Sequence, residues 1–283
     1  MDKSRENKLK LTANLIRQDV VKMIGDAGSG HPGGSLGMAD ILTALYFNIL
    51  KHNPKKPFWP KRDRLILSNG HIVPVRYAAM ARAGYFPLAE LKTFRKFGSR
   101  LQGHPGLFDF PEMECSGGPL GQGISVAVGM ALAAKLDKKD HQIYCLMGDG
   151  ELDEGQCWEA YLLAAKYKLS NLTVILDRNN IQIDGKTDEV LPLEPLADKY
   201  RAFNFKTAVI NGNNFNEIIK ACEQAKKQKA KPTVIIAKTI PGKGVSFMEN
   251  NHKWHGNAPK GDQIINALNE LNNEINKLKH GSK

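Results

Sequence analysis

The sequence predicts an α/β fold: a doubly wound, mostly parallel sheet flanked by helices, formed as a single domain over residues 1–283. Short apolar runs alternate with longer segments of helical spacing, which is the pattern of such a sheet. No internal repeat interrupts this alternation. Of the 283 residues, 42% are hydrophobic, so the chain has enough apolar material for a large core.

Five apolar runs are predicted to be strands. They cover residues 65–67, 143–147, 172–176, 205–210 and 234–237. The second and third runs read as buried parallel strands. Between them, residues 158–167 contain neither Gly nor Pro, and the segment is long enough for the crossover helix that a parallel pair requires.

Helical spacing of apolar residues predicts helices in the remaining segments. They cover residues 7–26, 36–50, 77–83, 88–97, 124–136, 214–227 and 264–278. The glycine-rich stretch at 28–34 is expected to be irregular. Two long loops, 98–123 and 239–260, carry Gly and His, and loops of that length inside a domain are usually functional or disordered.

Two polar residues follow neighbouring strands of the predicted sheet. Asp149 stands between two glycines after the run 143–147, and Asn179 comes shortly after the run 172–176. Both therefore lie at the edge where open parallel sheets bind ligands. Carboxylate and carboxamide oxygens suit Mg²⁺, and the flanking glycines allow a diphosphate to approach the main chain. A bare Gly-Asp-Gly is usually an ordinary loop, but the paired Asn179 favours a metal-diphosphate site.

Charge and cysteine usage limit the partners and the setting. Lys and Arg number 40 against 29 Asp and Glu, a net charge of +11 that favours an anionic partner such as a phosphorylated metabolite or nucleic acid. The basic residues are spread out without interleaved aromatic side chains, which argues against nucleic acid. The four cysteines form no metal or redox motif, and no apolar run reaches membrane length. We therefore expect a reduced, cytoplasmic setting without a membrane span.

Seven segments resemble the N-terminal, diphosphate-binding domain of transketolase, a thiamine-diphosphate enzyme. In the family's order they are SGHPG, LSNGH, GHPG, GGPLGQGISVAVGMA, GDGELDEG, LDRNNIQIDG and WHG, and they extend from about residue 14 to residue 259. The resemblance implies the thiamine-diphosphate-binding fold. It also implies thiamine diphosphate as cofactor, held with Mg²⁺ or, in its place, Ca²⁺ or Mn²⁺.

The resemblance implies a role for each matching residue. Asp149, the side chain of Asn179 and the main-chain oxygen of Ile181 would bind the cation. Gly150, His71 and His255 would contact the diphosphate, and Gly118 and Leu120 would lie beside the cofactor rings with Ile183 packing nearby. His31, His104 and His255 would surround the reacting sugar. Glu154 would belong to an acidic network that links cofactor sites. The remaining histidines, His52, His141, His252 and His280, are expected to lie at the surface.

A full-length transketolase continues into pyrimidine-binding and C-terminal domains, which are not found in this chain. The resemblance therefore implies the N-terminal subunit of a split transketolase in the pentose phosphate pathway. Its partner subunit would supply the missing domains in an α2β2 heterotetramer, and sugar phosphates would be the substrates. Gly117 departs from the family, which often has Thr immediately before Gly-Pro-Leu-Gly-Gln-Gly, so a side-chain contact is in doubt there.

Two other functions remain open from the sequence. The first keeps the cofactor and changes the donor, as in a related split synthase or a 2-oxo-acid decarboxylating subunit. His31, His104 and His255 favour a polyol donor instead, because imidazoles exchange protons with hydroxyls near neutral pH. The second is a non-enzymatic protein that binds nucleic acid, which only the net charge of +11 suggests.

Overall fold

A five-stranded parallel sheet forms the centre of the computed structural model, which describes residues 1–280. Its strands are β1 (Arg64–Leu67), β2 (Ile143–Gly148), β3 (Leu172–Arg178), β6 (Lys206–Asn211) and β7 (Thr233–Lys238). A separate antiparallel pair, β4 (Ile181–Gln182) and β5 (Gly185–Lys186), follows β3. All five predicted strands are confirmed within one or two residues at each end.

The strand order β1-β2-β3-β7-β6 contains one point at which the chain reverses direction across the sheet. The chain moves outward from β1 to β3, passes to the far edge at β6, and returns to place β7 beside β3. Crossovers between parallel strands are right-handed, so this reversal puts helices on both faces. The switch point between β3 and β7 is where open α/β sheets bind ligands.

Ten helices surround the sheet within the described residues. They are α1 (Lys3–Ala27), α2 (Pro32–Gly37), α3 (Ala39–Ala44), α4 (Val73–Ala83), α5 (Gln122–Leu136), α6 (Gly155–Lys166), α7 (Thr187–Val190), α8 (Leu196–Ala202), α9 (Phe215–Lys226) and α10 (Asp262–His280). A π-helical turn (Leu45–Ile49) continues α3. Short 3₁₀ turns occur at Gly70–Ile72, Leu88–Thr93, Pro111–Met113, Gly150–Asp153 and His252–Trp254.

Alternating strand side chains form two apolar layers. Leu146 and Ile175 face one layer, which α1, α3, α4, α9 and α10 cover. Cys145 and Val174, one residue earlier on the same strands, face the second layer under α5, α6 and α8. Because successive side chains point to opposite faces of a strand, both faces of the sheet are buried. The predicted doubly wound α/β fold is confirmed.

The prediction that the glycine-rich stretch at 28–34 is irregular is wrong for its second half. Pro32 opens α2, where its missing N–H costs nothing. The glycines let this helix pack closely: a Cβ on Gly33 would lie 3.0 Å from the Trp254 carbonyl oxygen, and one on Gly37 would lie 2.9 Å from that of Ile240. Close packing, which is not visible locally in the sequence, explains a helix built from poor helix formers.

Two predicted helices also differ in the structure. Residues 36–50 do not form one helix, because Met38 leaves helical geometry between α2 and α3. Residues 88–97 form only the 3₁₀ turn Leu88–Thr93, and Arg95 then adopts a φ of 58°. That left-handed conformation is incompatible with a continuing α-helix.

His52, His141 and His252 are all partly exposed. The His52 ring is in addition hydrogen-bonded on both sides, to the Tyr85 hydroxyl at 3.0 Å and to the Tyr46 carbonyl oxygen at 2.7 Å. The His280 side chain lies outside the described residues. Among residues 1–280, no helix has the length and apolar character needed to cross a bilayer.

Candidate active site

Several strands end at one edge of the sheet, and the loops that follow them carry the predicted site residues. Because β1, β2, β3 and β7 are parallel neighbours, their carboxyl ends lie together. Asp149 directly follows β2, and Asn179 directly follows β3. The Asp149 N–H donates to the Asp177 carbonyl oxygen at 3.1 Å. The structure thus places Asp149 and Asn179 side by side at this edge, while their roles stay predictions.

The Asp149 carboxylate is buried, with 1% of its surface exposed, and it is well supplied with hydrogen-bond donors. Its Oδ1 accepts the Gly150 N–H at 2.9 Å, and its Oδ2 accepts the Asn180 N–H at 2.7 Å. Oδ2 also accepts a bond from Arg178 at 3.0 Å. Burial raises the pKa of Asp149 to about 6, and the bond from Arg178 opposes that rise.

Arg178 is a charged residue of this site that the sequence analysis missed. Only 4% of its side chain is exposed, and one guanidinium nitrogen contacts both Asp149 and the Thr187 hydroxyl. The other nitrogen pairs with Asp188 at 3.1 Å and Glu194 at 3.3 Å. The guanidinium therefore compensates the buried charge of Asp149. It also connects the segment after β5 with the residue that follows β2. The sequence signal that could have identified Arg178 was its position next to Asn179 at the end of a predicted strand.

Asn179 is held by its neighbours at the switch point between β3 and β7. Its amide donates to Asp177 Oδ2 at 2.8 Å, and its Oδ1 accepts the Ile181 N–H at 3.0 Å. The Thr239 hydroxyl, after β7, donates to the other oxygen of Asp177. Burial raises the pKa of Asp177 to about 7. Asp177 was not among the predicted site residues, although it follows the same apolar run that points to Asn179.

These residues fit a divalent cation. Asp149 Oδ1 accepts a single hydrogen bond, as does Asn179 Oδ1, so each oxygen keeps a lone pair for a metal. Ile181 is 5% exposed, and its main-chain oxygen stays the third predicted ligand. Within residues 1–280 no three His, Cys, Asp or Glu side chains form a metal-binding group. A cation with few protein ligands that keeps waters or phosphate oxygens, such as Mg²⁺, matches this donor set.

Glu151 is a second residue that the sequence analysis missed. It is 2% exposed and accepts bonds from the Ser68 hydroxyl, the Gly121 N–H at 2.9 Å and the Gly148 N–H at 3.1 Å. Burial raises its pKa. Glu151 therefore joins the ends of β1 and β2 to the start of α5. In the sequence it was indistinguishable from the other acidic residues of GDGELDEG.

The amides that follow Asp149 belong to the 3₁₀ turn Gly150–Asp153, and α6 begins only at Gly155. Gly150 donates to Asp149 in this turn. Glu154 is exposed at the N-terminal end of α6, and its charge is one of the causes that raise the pKa of Glu151. Its place in an acidic network that links cofactor sites stays a prediction.

Four histidines from four separate segments converge at the same edge. The His31 ring centroid lies 5.1 Å from that of His71, 6.4 Å from that of His104 and 5.6 Å from that of His255. His71 and His255 are 5.2 Å apart. We call these four residues the histidine cluster. A Cβ on Gly34, in the helix after His31, would lie 3.8 Å from Asp177 Oδ2, so the cluster borders the Asp177–Asn179 group.

The folded chain favours the neutral form of every ring in the histidine cluster. Burial is the main cause that lowers the pKa of every member, and for His31 the value falls to about 4. The Nδ1 atoms of His31 and His255 are buried without a hydrogen-bond partner among the described residues. Since a buried polar atom is normally satisfied, these nitrogens indicate a polar ligand. Neutral imidazoles can both accept and donate protons there.

The predicted ring-binding residues border the histidine cluster from the loop before α5. Gly118 has a φ of 139°, and a Cβ added to it would meet the His104 ring at 3.7 Å. The Leu120 carbonyl oxygen accepts a bond from Gln156 at 3.1 Å, which fixes that loop against α6. Ile183 is 66% exposed in the turn between β4 and β5. An apolar side chain so exposed at this edge is available to a ligand or a second chain.

Acid is expected to destabilise the folded chain through His31. Its pKa is about 4 in the folded chain and about 6.5 when unfolded. Between about pH 6.5 and pH 4, the unfolded chain binds more protons at this residue than the folded chain does. The contribution of His31 to the free energy of unfolding is therefore complete above about pH 6.5 and is lost as the pH falls towards 4.

His31→Asn removes this contribution, so we expect its melting temperature to fall less than that of the wild type between about pH 7.5 and pH 5. Circular dichroism measures both melting curves. Comparison with the variant cancels the opposite effect of Asp149 and Asp177, whose raised pKa values make the chain lose stability as pH rises. Equal falls in melting temperature would contradict the assignment of a buried, neutral His31.

Comparisons with known proteins point to one family. Residues 8–277 match the family model described as transketolase, thiamine diphosphate binding domain. A 6-deoxy-6-sulfo-D-fructose transketolase subunit from Clostridium sp. is 45% identical over 266 residues, which cover 94% of this chain and 97% of that protein. An apulose-4-phosphate transketolase subunit from Phocaeicola vulgatus is 42% identical over 270 residues, covering 95% and 96%.

Solved structures give the same result. A transketolase from Campylobacter jejuni superposes with a TM-score of 0.87 at 42% identity, covering 93% of this chain and 42% of that one. A transketolase complex from Pichia stipitis superposes with a TM-score of 0.86 at 32% identity, covering 97% and 44%. This chain therefore spans less than half the length of these solved chains.

Proposed function

This chain belongs to the transketolase family, and we propose on that basis that it is the N-terminal subunit of a split transketolase. The proposed reaction is the reversible transfer of a two-carbon ketol unit from a ketose phosphate to an aldose phosphate. The observation that carries the proposal is the convergence of four neutral histidines at the edge that holds Asp149 and Asn179. Polyhydroxy substrates need such proton-exchanging groups.

In this proposal the metal-diphosphate end of the cofactor lies at Asp149 and Asn179. Asp149 Oδ1, Asn179 Oδ1 and the Ile181 carbonyl oxygen hold Mg²⁺, and His71 and the Gly150 region contact the diphosphate. When bound, thiamine diphosphate supplies the electron sink for carbon-carbon bond cleavage. Gly118 and Leu120 would border its rings, and Ile183, in the turn between β4 and β5, would pack nearby.

The histidine cluster exchanges protons with the sugar. His31 and His255 each keep a buried, unpartnered Nδ1, so their rings are available to a substrate hydroxyl. His104 is exposed and, in this proposal, contacts the substrate from the loop before α5. Neutral rings take up a proton when the donor hydroxyl is deprotonated and return one to the acceptor oxygen.

The rest of the site comes from a partner in this proposal. Residues 1–283 form one diphosphate-binding domain, and a second chain supplies the pyrimidine-binding and C-terminal domains in an α2β2 heterotetramer. Ile183 and Glu154 are exposed, which supports the proposal that this second chain contacts them. The four cysteines are free thiols and three of them are buried, which supports a cytoplasmic location.

The identity of the donor and acceptor sugars is a separate part of the proposal. We propose sugar phosphates of the pentose phosphate pathway as donor and acceptor. A second candidate is a related sugar, because two relatives of similar length are named for 6-deoxy-6-sulfo-D-fructose and apulose 4-phosphate. Both candidates use the same cofactor and the same histidine cluster, so a donor and acceptor screen separates them.

Reconstitution tests the proposed function. The chain is mixed with a chain that carries the missing domains, thiamine diphosphate and Mg²⁺, and is supplied with xylulose 5-phosphate and ribose 5-phosphate. Seven-carbon ketose phosphate and glyceraldehyde 3-phosphate are expected only when both chains are present. Exchange with another ketose but not with xylulose 5-phosphate would favour the second candidate. No exchange with any ketose donor would refute a split transketolase.

A further inference from the structure

Glu114 has an unusual backbone conformation in the long loop before α5. Its φ of 71° is positive while its ψ of −40° is negative, a combination outside the small left-handed region that residues other than glycine can adopt. Such backbone strain persists only where surrounding contacts hold it in place. Glu114 follows the 3₁₀ turn Pro111–Met113 and lies four positions before Gly118. The contacts that hold Glu114 therefore bear on the position of Gly118.

Two arginines at the beginning of β1 hold the Glu114 carboxylate. Arg62 contacts both of its oxygens, one through Nη1 and the other through Nη2 at 3.0 Å. The Nε atom of Arg64 lies 3.8 Å from the second oxygen. The side chains of Arg62 and Glu114 are only 10% and 9% exposed, so salt screens their ion pair weakly. A bidentate pair of this kind fixes the orientation of the carboxylate as well as its distance.

A third arginine holds the residue immediately before Glu114. The Arg76 guanidinium, on α4, is 2% exposed and donates from Nη1 to the Met113 carbonyl oxygen at 3.3 Å. Its Nε donates to the Tyr46 hydroxyl at 3.2 Å. The Met113 side chain is itself fully buried. Two consecutive residues of the loop are thus attached to two different elements, Met113 to α4 and Glu114 to the beginning of β1.

The loop connects this attachment to the candidate site. The Gly117 N–H donates to the Pro105 carbonyl oxygen at 2.9 Å, so the segment after Glu114 lies against the residue that follows His104. A Cβ on Gly70 would lie only 2.8 Å from the Gly118 nitrogen, which shows how closely the loop packs on the end of β1. A small displacement of Gly117 therefore changes the positions of both His104 and Gly118.

Glu112, two residues before Glu114, shows the contrast. Its backbone belongs to the regular 3₁₀ turn Pro111–Met113. No lysine or arginine of residues 1–280 lies within ion-pair distance of its carboxylate, whereas Glu114 pairs with Arg62 and Arg64. One short segment thus carries a carboxylate without an ion pair and a carboxylate that is held by two arginines. The strained backbone coincides with the second of them.

We propose that Glu114 and Arg62 are positioning residues, whose ion pair holds the loop so that Gly118 faces the cofactor rings and His104 faces the sugar. This inference rests on the proposed function and adds residues that contact neither cofactor nor substrate. A positioning role predicts a lower kcat even when thiamine diphosphate is saturating. A role in folding alone predicts a lower melting temperature with an unchanged kcat for the folded protein.

The variants Glu114→Gln and Glu114→Gly separate these two roles. Both remove the carboxylate, and glycine also relieves the backbone strain because it adopts positive φ readily. In the reconstituted pair, below the melting temperature and at saturating cofactor, we expect kcat to fall roughly 10- to 100-fold in both, since small misplacements of reacting groups cost about that much. Arg62→Lys keeps the charge and should lose less than Arg62→Gln.

Glu112→Gln is the matched control, and it should keep the kcat of the wild type. A wild-type kcat in folded Glu114→Gln would overturn the positioning role. So would recovery of kcat in Glu114→Gly alone, because relief of strain would then replace the ion pair.

Hydrogen exchange tests the attachment of the loop without any turnover. Mass spectrometry follows the amides of residues 101–120 in the reconstituted pair without substrate. We expect faster exchange in Glu114→Gln, because the hydrogen bond from Gly117 to Pro105 opens more often, and no change in Glu112→Gln. If this difference appears while the wild-type pair transfers no ketol unit, the proposed function fails and the attachment of the loop by Glu114 stands. Equal exchange in the two variants would overturn the inference.

Discussion

Asp149→Asn is expected to weaken the Mg²⁺-dependent binding of thiamine diphosphate by roughly 100-fold or more, since loss of even an outer-shell partner of a metal costs about 10- to 100-fold. The substitution removes the single carboxylate from the proposed cation ligands. It also replaces one acceptor oxygen by an NH₂ group, which must face the Asn180 N–H, the Arg178 guanidinium or the cation. Each of these positions requires an acceptor.

Calorimetric titration of the reconstituted pair with cofactor, at several Mg²⁺ concentrations, measures this effect. Asp153→Asn is the matched control, because it removes an exposed carboxylate from the same 3₁₀ turn. Arg178 keeps Asp188 and Glu194 as partners, so the variant should remain folded, which circular dichroism verifies. An unchanged affinity and an unchanged Mg²⁺ dependence would remove Asp149 from the cation site.

The strands and the metal-diphosphate edge could be predicted from sequence because their signals are local. Apolar runs such as that of β3 end in polar residues, and parallel strands bring those ends together whatever the strand order. The order β1-β2-β3-β7-β6 itself has no local signal. Nor does the helix α2, whose glycines are required by contacts with Trp254 and Ile240, more than 200 residues away.

The buried supports of the site could not be predicted for the same reason. Glu151 and Arg178 acquire their importance from burial and from partners on other segments, such as Ser68 and Thr187. In the sequence each is one charged residue among many. The histidines were found because a known family carries them at matching motifs. Their neutrality depends on burial and on one another, which only the folded chain establishes.

His255→Ala is expected to lower kcat/KM for ketol transfer by about 10²- to 10⁴-fold, the usual contribution of a proton-exchanging residue. The ring lies within 5.6 Å of His31 and 5.2 Å of His71, and its buried Nδ1 has no partner among the described residues. His252→Ala, at the start of the 3₁₀ turn that His255 follows, is the matched control and should have little effect.

Cofactor dependence distinguishes the two roles proposed for His255. If the ring mainly contacts the diphosphate, His255→Ala raises the Kd for thiamine diphosphate, and saturating cofactor restores kcat. If it exchanges protons with the sugar, kcat stays low at saturating cofactor while the cofactor Kd changes little. We expect the second result, because the ring packs edge-on against His31, whose free Nδ1 also requires a polar ligand. Recovery of full kcat by cofactor alone would assign His255 to the diphosphate and leave proton exchange to His31 and His104.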